Sequence, residues 1–233
     1  MTTATHTPTR VRPERVVGAT AIALAASLLI QNVVLGAGAP DYGAPIADVL
    51  AFHAKNRGTV AVSVGLEALN LPLLLGFLAG LHGLVRGRSE GGATWSRLGL
   101  AAGATLSAIW AIYAVAWIGV VLAAGRGAES IPTLQLAWQL HAAGLAMALP
   151  ALGTTFFGAA MATHAALLTA PWQRLLGVVG PILLIVAGSA SLAIADGSPM
   201  VFVGVGGLAL WVVWLVATGI RLMRVKATTL VRP

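Results

Sequence analysis

Residues 59–85 read TVAVSVGLEALNLPLLLGFLAGLHGLV. Glu67 is the only acidic residue in the run, and no basic residue occurs before Arg86. A helix rises 1.5 Å per residue, so about 20 mostly apolar residues cross roughly 30 Å of hydrocarbon. This run is long enough to do so. Every backbone amide in lipid needs a partner inside the protein, which leaves helices and closed barrels as the spanning structures. A barrel strand alternates apolar and polar residues, and that alternation is missing here.

Working outward, five more runs qualify, at about 16–38, 98–124, 134–168, 175–195 and 200–223. Gly, Pro and Asp punctuate the connections, as at Gly38-Ala39-Pro40-Asp41 and Asp196-Gly197-Ser198-Pro199. The totals agree with this reading. The chain has 233 residues, 58% of them hydrophobic and 9% charged, with a mean hydropathy of +0.89. Soluble domains carry roughly 25% charged residues. A soluble globular enzyme, a disordered chain and a nucleic-acid module are excluded. The expected fold is an all-α polytopic membrane bundle of six transmembrane helices. Residues 1–15 form a basic tail, 16–224 the six-span domain and 225–233 a second tail.

The formal charge is +7, and most of the basic residues sit beside the apolar runs. An even number of spans puts both tails on one side. Eleven Lys and Arg residues fall on that side, among them Arg10, Arg12, Arg15, Arg86, Arg88 and Arg174, against Lys55, Arg57 and Arg126 on the other. The positive-inside rule therefore predicts cytoplasmic N- and C-termini. Ala37-Gly38-Ala39 resembles a signal-peptidase site, but the preceding apolar run exceeds the usual 7–15 residues and Pro40 would follow the cut. A retained first helix is expected.

The first outer connection predicts a further element. Pro45 can begin a helix, and Ile46, Val49, Leu50 and His53 then share one face, with Asp48, Lys55 and Asn56 off it. A short amphipathic helix on the outer surface follows. Two stretches also look alike: Gly76 to His82 followed by Trp95-Ser96-Arg97-Leu98, and Gly158 to His164 followed by Trp172-Gln173-Arg174-Leu175. They read either as parallel repeats, as in some transporters, or as two interfaces that each attract Trp and Arg.

Taken together, the Arg cluster, Phe52-His53-Ala54-Lys55-Asn56-Arg57, Leu140-His141-Ala142-Ala143-Gly144, Phe156-Phe157-Gly158 and Trp172-Gln173-Arg174-Leu175-Leu176-Gly177 resemble the bacterial integral membrane proteins grouped as domain of unknown function 4386. The resemblance implies six helices in a bacterial inner membrane. It implies no reaction and no ligand.

An ionisable residue in a span is costly and therefore a functional candidate. Glu67 lies 19 residues before Arg86, roughly 28 Å along a helix, near the outer edge of the hydrocarbon. It reads as a proton-accepting carboxylate or as an interface carboxylate bonded to a neighbouring helix. His141 and His164 are 23 residues apart, roughly 34 Å, so one belongs near each interface. Glu67, Asn70, His141, His53, Gln31 and Asn32 are the candidates for an outward-facing polar pocket, with Gln135 and Gln139 nearby. The alternative reading is hydrogen bonding between helices. Trp110, Trp117, Trp138, Trp211 and Trp214 are expected to anchor or pack.

His82 and His164 face the same leaflet in this topology and are the candidates for axial haem ligation or a shared metal. No haem-attachment motif accompanies them, and with no Cys a thiolate site is excluded. No cofactor is expected in the leading reading. Phosphate-binding, zinc-protease and nucleophile-elbow motifs are absent, so catalysis has no recognised local motif. Gly76/Gly80 and Gly99/Gly103 form GxxxG pairs suited to close helix contact, within the chain or in a homo-oligomer. The leading function is a small carrier or sensor in a bacterial inner membrane, its partner the lipid bilayer and not nucleic acid. The alternative is a haem- or metal-binding redox subunit.

Overall fold

The computed structural model describes residues 12–36, 38–127 and 132–224. Arg10, Ala37, Lys226 and Arg232, with most of both tails, lie outside the described residues. The described chain is all helical: α1 (Pro13–Gly36), α2 (Ile46–Lys55), α3 (Arg57–Arg86), α4 (Glu90–Gly125), α5 (Pro132–Ala165), α6 (Pro171–Ser189), α7 (Ser191–Ala195) and α8 (Val201–Arg224). Six of these, α1, α3, α4, α5, α6 and α8, are long and apolar enough to span a membrane. Their outward faces carry large apolar side chains, including Ile112, Val115, Leu140 and Phe202, each more than half exposed. Such faces suit lipid rather than water, and the chain is a multipass membrane protein.

The helix ends depart from the apolar runs for local reasons. α4 begins at Glu90, eight residues before the expected start at Leu98. Ser89 caps it, its Oγ accepting from the Gly92 amide at 3.0 Å, and Glu90 places a negative charge at the positive end of the helix dipole. α6 begins at Pro171 rather than Leu175, with the Gln173 side chain accepting from the Ala170 amide at 2.8 Å. α5 stops at Ala165. Leu167 there takes a left-handed φ of 57°, the Leu167 amide bonds the His164 carbonyl, and the Leu168 amide bonds Thr163. This is a Schellman stop with leucine where glycine is usual. The expected fifth span of 175–195 is divided by a turn at Ala190 into α6 and α7.

The six spans close a ring in the order α1, α3, α4, α5, α6, α8 and back to α1. Both described ends and the α3–α4 and α5–α6 turns lie on one side, here the terminal side. The C-terminal end of α4, the start of α5 and the α7–α8 connection lie with α2 on the other. Glycine permits the closest approaches: Gly99 on α4 faces Gly158 on α5, and Gly18 on α1 faces Gly219 on α8. A side chain at any of these would meet the opposite backbone. Of the other expected pair, Gly80 abuts Val17 of α1 while Gly76 has open space around it.

The ring interior has two halves. On the terminal side it is filled by Phe77, Phe156, Trp211 and Trp214, all below 2% exposed. The two indoles stack at 5.3 Å and 9°, and Phe156 lies 4.8 Å from Trp211. Their indole nitrogens have no hydrogen-bond partner. Towards α2 the interior is polar and holds space. The two similar hairpins also part company here. Trp95 packs edge-on to Phe157, whereas Trp172 is 53% exposed.

Candidate functional site

α2 lies across the α2-side end of the ring, packed on α4 and touching α3 and α5. Ile46, Val49, Leu50 and His53 face inward and are buried, as their spacing predicts. Leu50 and Val49 join Val60, Trp117, Val120 and Trp138 in a separate apolar cluster. His53 is the polar member of that face. Its Nε2 accepts from Trp117 Nε1 at 2.9 Å, so its proton is on Nδ1, which donates to the Val49 carbonyl at 2.7 Å. Burial pushes the His53 imidazole below its usual range, opposed by the Val49 carbonyl.

Below α2 are two adjoining cavities. The outer, about 240 Å³, is walled by Tyr42, Phe52, His53, Trp117, Trp138 and His141. The inner, about 130 Å³, reaches Asn70, Trp110, Leu149, Leu152 and Gly204. Gln31, Asn32, Glu67, Tyr113 and Leu145 line both. Glu67 is 4% exposed and stands where the two spaces meet. Phe77 of the aromatic filling follows it by ten residues, about 15 Å along α3.

Two neighbouring spans hold the α3 carboxylate. Tyr113 of α4 donates its hydroxyl to Glu67 Oε1. Gln31 of α1 donates from Nε2 to Oε2 at 3.3 Å. Asn70, one helical turn on from Glu67, donates to Gln31 Oε1 at 2.8 Å. Both carboxylate oxygens are therefore engaged. Two buried polar atoms of cavity-lining residues have no partner: Asn70 Oδ1, an acceptor, and Trp138 Nε1, a donor.

His141 joins through aromatic contacts. It stacks on Trp117 at 5.4 Å and on Trp138 at 5.1 Å, with interplanar angles of 26° and 30°. Its Nδ1 lies 3.2 Å from the Tyr113 carbonyl oxygen. Tyr113 thus links Glu67 through its hydroxyl and His141 through its backbone. Tyr42, in the α1–α2 connection, closes the other side 5.4 Å from Trp138. Burial, with the Glu67 carboxylate adding to it, pushes the Tyr42 phenol up.

The structure brings Glu67, Asn70, His141, His53 and Gln31 together around the two cavities. Asn32 also lines both, with its amide bonded back to Leu28 of its own helix at 2.8 Å. Gln135 and Gln139 face outward and line neither cavity. Trp117 and Trp138, expected only to anchor or pack, are cavity walls. Tyr113 and Tyr42 were not singled out by sequence reasoning. A signal for Tyr113 exists in the spacing of Trp110, Tyr113 and Trp117, which places three polar-tipped aromatics on one face of α4.

His82 and His164 have different surroundings on the terminal side. His82 Nδ1 bonds Ser96 Oγ at 2.8 Å, and Ser96 in turn bonds the Ala93 carbonyl. His164 Nδ1 is buried without a partner. Among the described residues no group of three or more His, Asp or Glu side chains is placed to hold a metal ion.

No protein-family model, curated protein or solved structure matches the chain. The functional reading therefore rests on the geometry of the chamber.

Proposed function

We propose that this multipass membrane protein is a small carrier or sensor whose ligand occupies the chamber beneath α2. One observation carries the reading: a buried carboxylate, bonded by side chains from two other spans, lines two adjoining cavities. An apolar-walled hollow with a few convergent polar groups is the usual form of a small-molecule site. The excess of Arg on the terminal side supports cytoplasmic termini and a chamber that opens outward. The resemblance noted above supports a bacterial inner membrane.

The absence of cysteine makes the test direct. Single cysteines are placed at Asn32, which lines both cavities, and at Ala146, which is fully buried and lines neither. Intact cells and inverted vesicles are treated with a small membrane-impermeant thiol reagent. Asn32→Cys is expected to react from the outside of intact cells and Ala146→Cys from neither side. Protection of Asn32→Cys from both sides would remove the open chamber, and reaction from the cytoplasmic side alone would reverse the orientation.

A further inference from the structure

The chamber reading says that something binds, and the chamber walls say what chemistry it has. Resting on that reading, we infer that the occupant is a small organic cation, an alkylammonium held between the Glu67 carboxylate and the aromatic wall of the outer cavity.

Charge is the first argument. Among the described residues Glu67 is the one carboxylate lining either cavity, and no Lys or Arg lines them. The carboxylate takes only neutral donors, from Tyr113 and Gln31. The one ion pair among the described residues is far away, between Arg88 and Glu14 on the terminal side. Taking a carboxylate out of water costs several kcal/mol unless an opposite charge accompanies it. His53 does not supply that charge, since its Nε2 is committed to accepting from Trp117. In the inferred complex the occupant supplies that charge.

The wall chemistry is the second argument and is independent of the first. Tyr42, Phe52, Tyr113, Trp117 and Trp138 all line the outer cavity. Aromatic faces attract cations through the ring quadrupole, best for Trp, and more strongly where water is excluded. Aromatic side chains beside a carboxylate suit an ammonium group, whereas an anion finds no Lys or Arg among the described lining residues.

Size completes the assignment. An apolar cavity of about 150 Å³ admits benzene. The outer cavity, at about 240 Å³, suits an ammonium bearing a few carbons.

The test compares charged and neutral ligands of one shape on the purified full chain in lipid nanodiscs. Choline and n-butylammonium are titrated by calorimetry against their neutral carbon isosteres, in which carbon replaces the ammonium nitrogen. The charged members are expected to bind at least about tenfold tighter than the neutral ones. Glu67→Gln should abolish that preference and Glu67→Asp should retain it. The wild-type comparison alone decides the matter if a variant fails to fold. Equal binding of charged and neutral ligands would overturn the cation assignment and leave the chamber standing. Absence of binding by all four, with Asn32→Cys still labelled from outside, would do the same. Absence of both binding and labelling would remove the chamber itself.

Discussion

The two halves of the ring interior are built from the same residue class and do opposite things. On the terminal side, Phe77, Phe156, Trp211 and Trp214 close on one another and line neither of the two cavities. On the α2 side, Tyr113, Trp117, Trp138 and Tyr42 stand around space. The difference lies in what accompanies the rings. The terminal half adds leucines such as Leu81, Leu184 and Leu215, which fill the gaps. The α2 half adds Glu67, Gln31, Asn70 and two histidines, whose polar atoms must be aimed at partners. A dry interior can collapse to close packing, whereas a polar one keeps its shape because its hydrogen bonds set the geometry.

The comparison breaks most readily at the dry half. Trp214→Ala should cost about 3–5 kcal/mol of stability, as removal of a large buried aromatic does, with ligand binding altered only through lost folding. Thermal unfolding in detergent with and without choline measures both effects. In the polar half, Tyr113→Phe removes a hydrogen bond to a charged group and should cost about 1.5–3 kcal/mol. Equal losses on choline binding and on folding would show that Tyr113 belongs to the scaffold alone.

A smaller effect concerns the α2 cover. The folded state holds His53 below its usual value, so the unfolded or detached state binds protons more readily. The contribution of docked α2 is then fully present above about pH 6.5 and is lost as pH falls through the range below it. Hydrogen-exchange protection along 46–55, taken relative to the intrinsic rate at each pH, should fall as pH drops below about 6.5, while that in α8 stays unchanged. Trp117→Phe, which leaves His53 Nε2 without its donor, should weaken this pH response. Smallest of all, Glu14→Ala breaks the exposed Arg88 pair at 3.0 Å and should shift stability by about 0.2–1 kcal/mol, and less in high salt.

Much of the fold was legible because lipid simplifies it. Five of the six apolar runs each became one helix and the run 175–195 became α6 and α7, and the face of Ile46, Val49, Leu50 and His53 is the one that docks. What the runs could not show is which helices are neighbours. Glu67 is read as a lone carboxylate in α3, yet its partners come from α1 and α4, 36 and 46 residues away. Tyr113 escaped notice because a tyrosine in a spanning run looks like packing until a carboxylate is placed against its hydroxyl. Gln135 and Gln139 misled for the converse reason: polarity near a helix start does not say which way it points. The starts of α4 and α6 were missed because Ser89 and Gln173 extend them through polar residues by capping.

The central claim is that one half of the ring interior is wet and the other dry. X-ray radiolytic hydroxyl labelling of the wild-type protein in nanodiscs, read by mass spectrometry, reports water beside each aromatic ring. The account predicts oxidation of Tyr113, Trp117 and Trp138 with Phe156, Trp211 and Trp214 spared, and reduced labelling of the first group when choline is bound. Equal protection of both groups without ligand would contradict it.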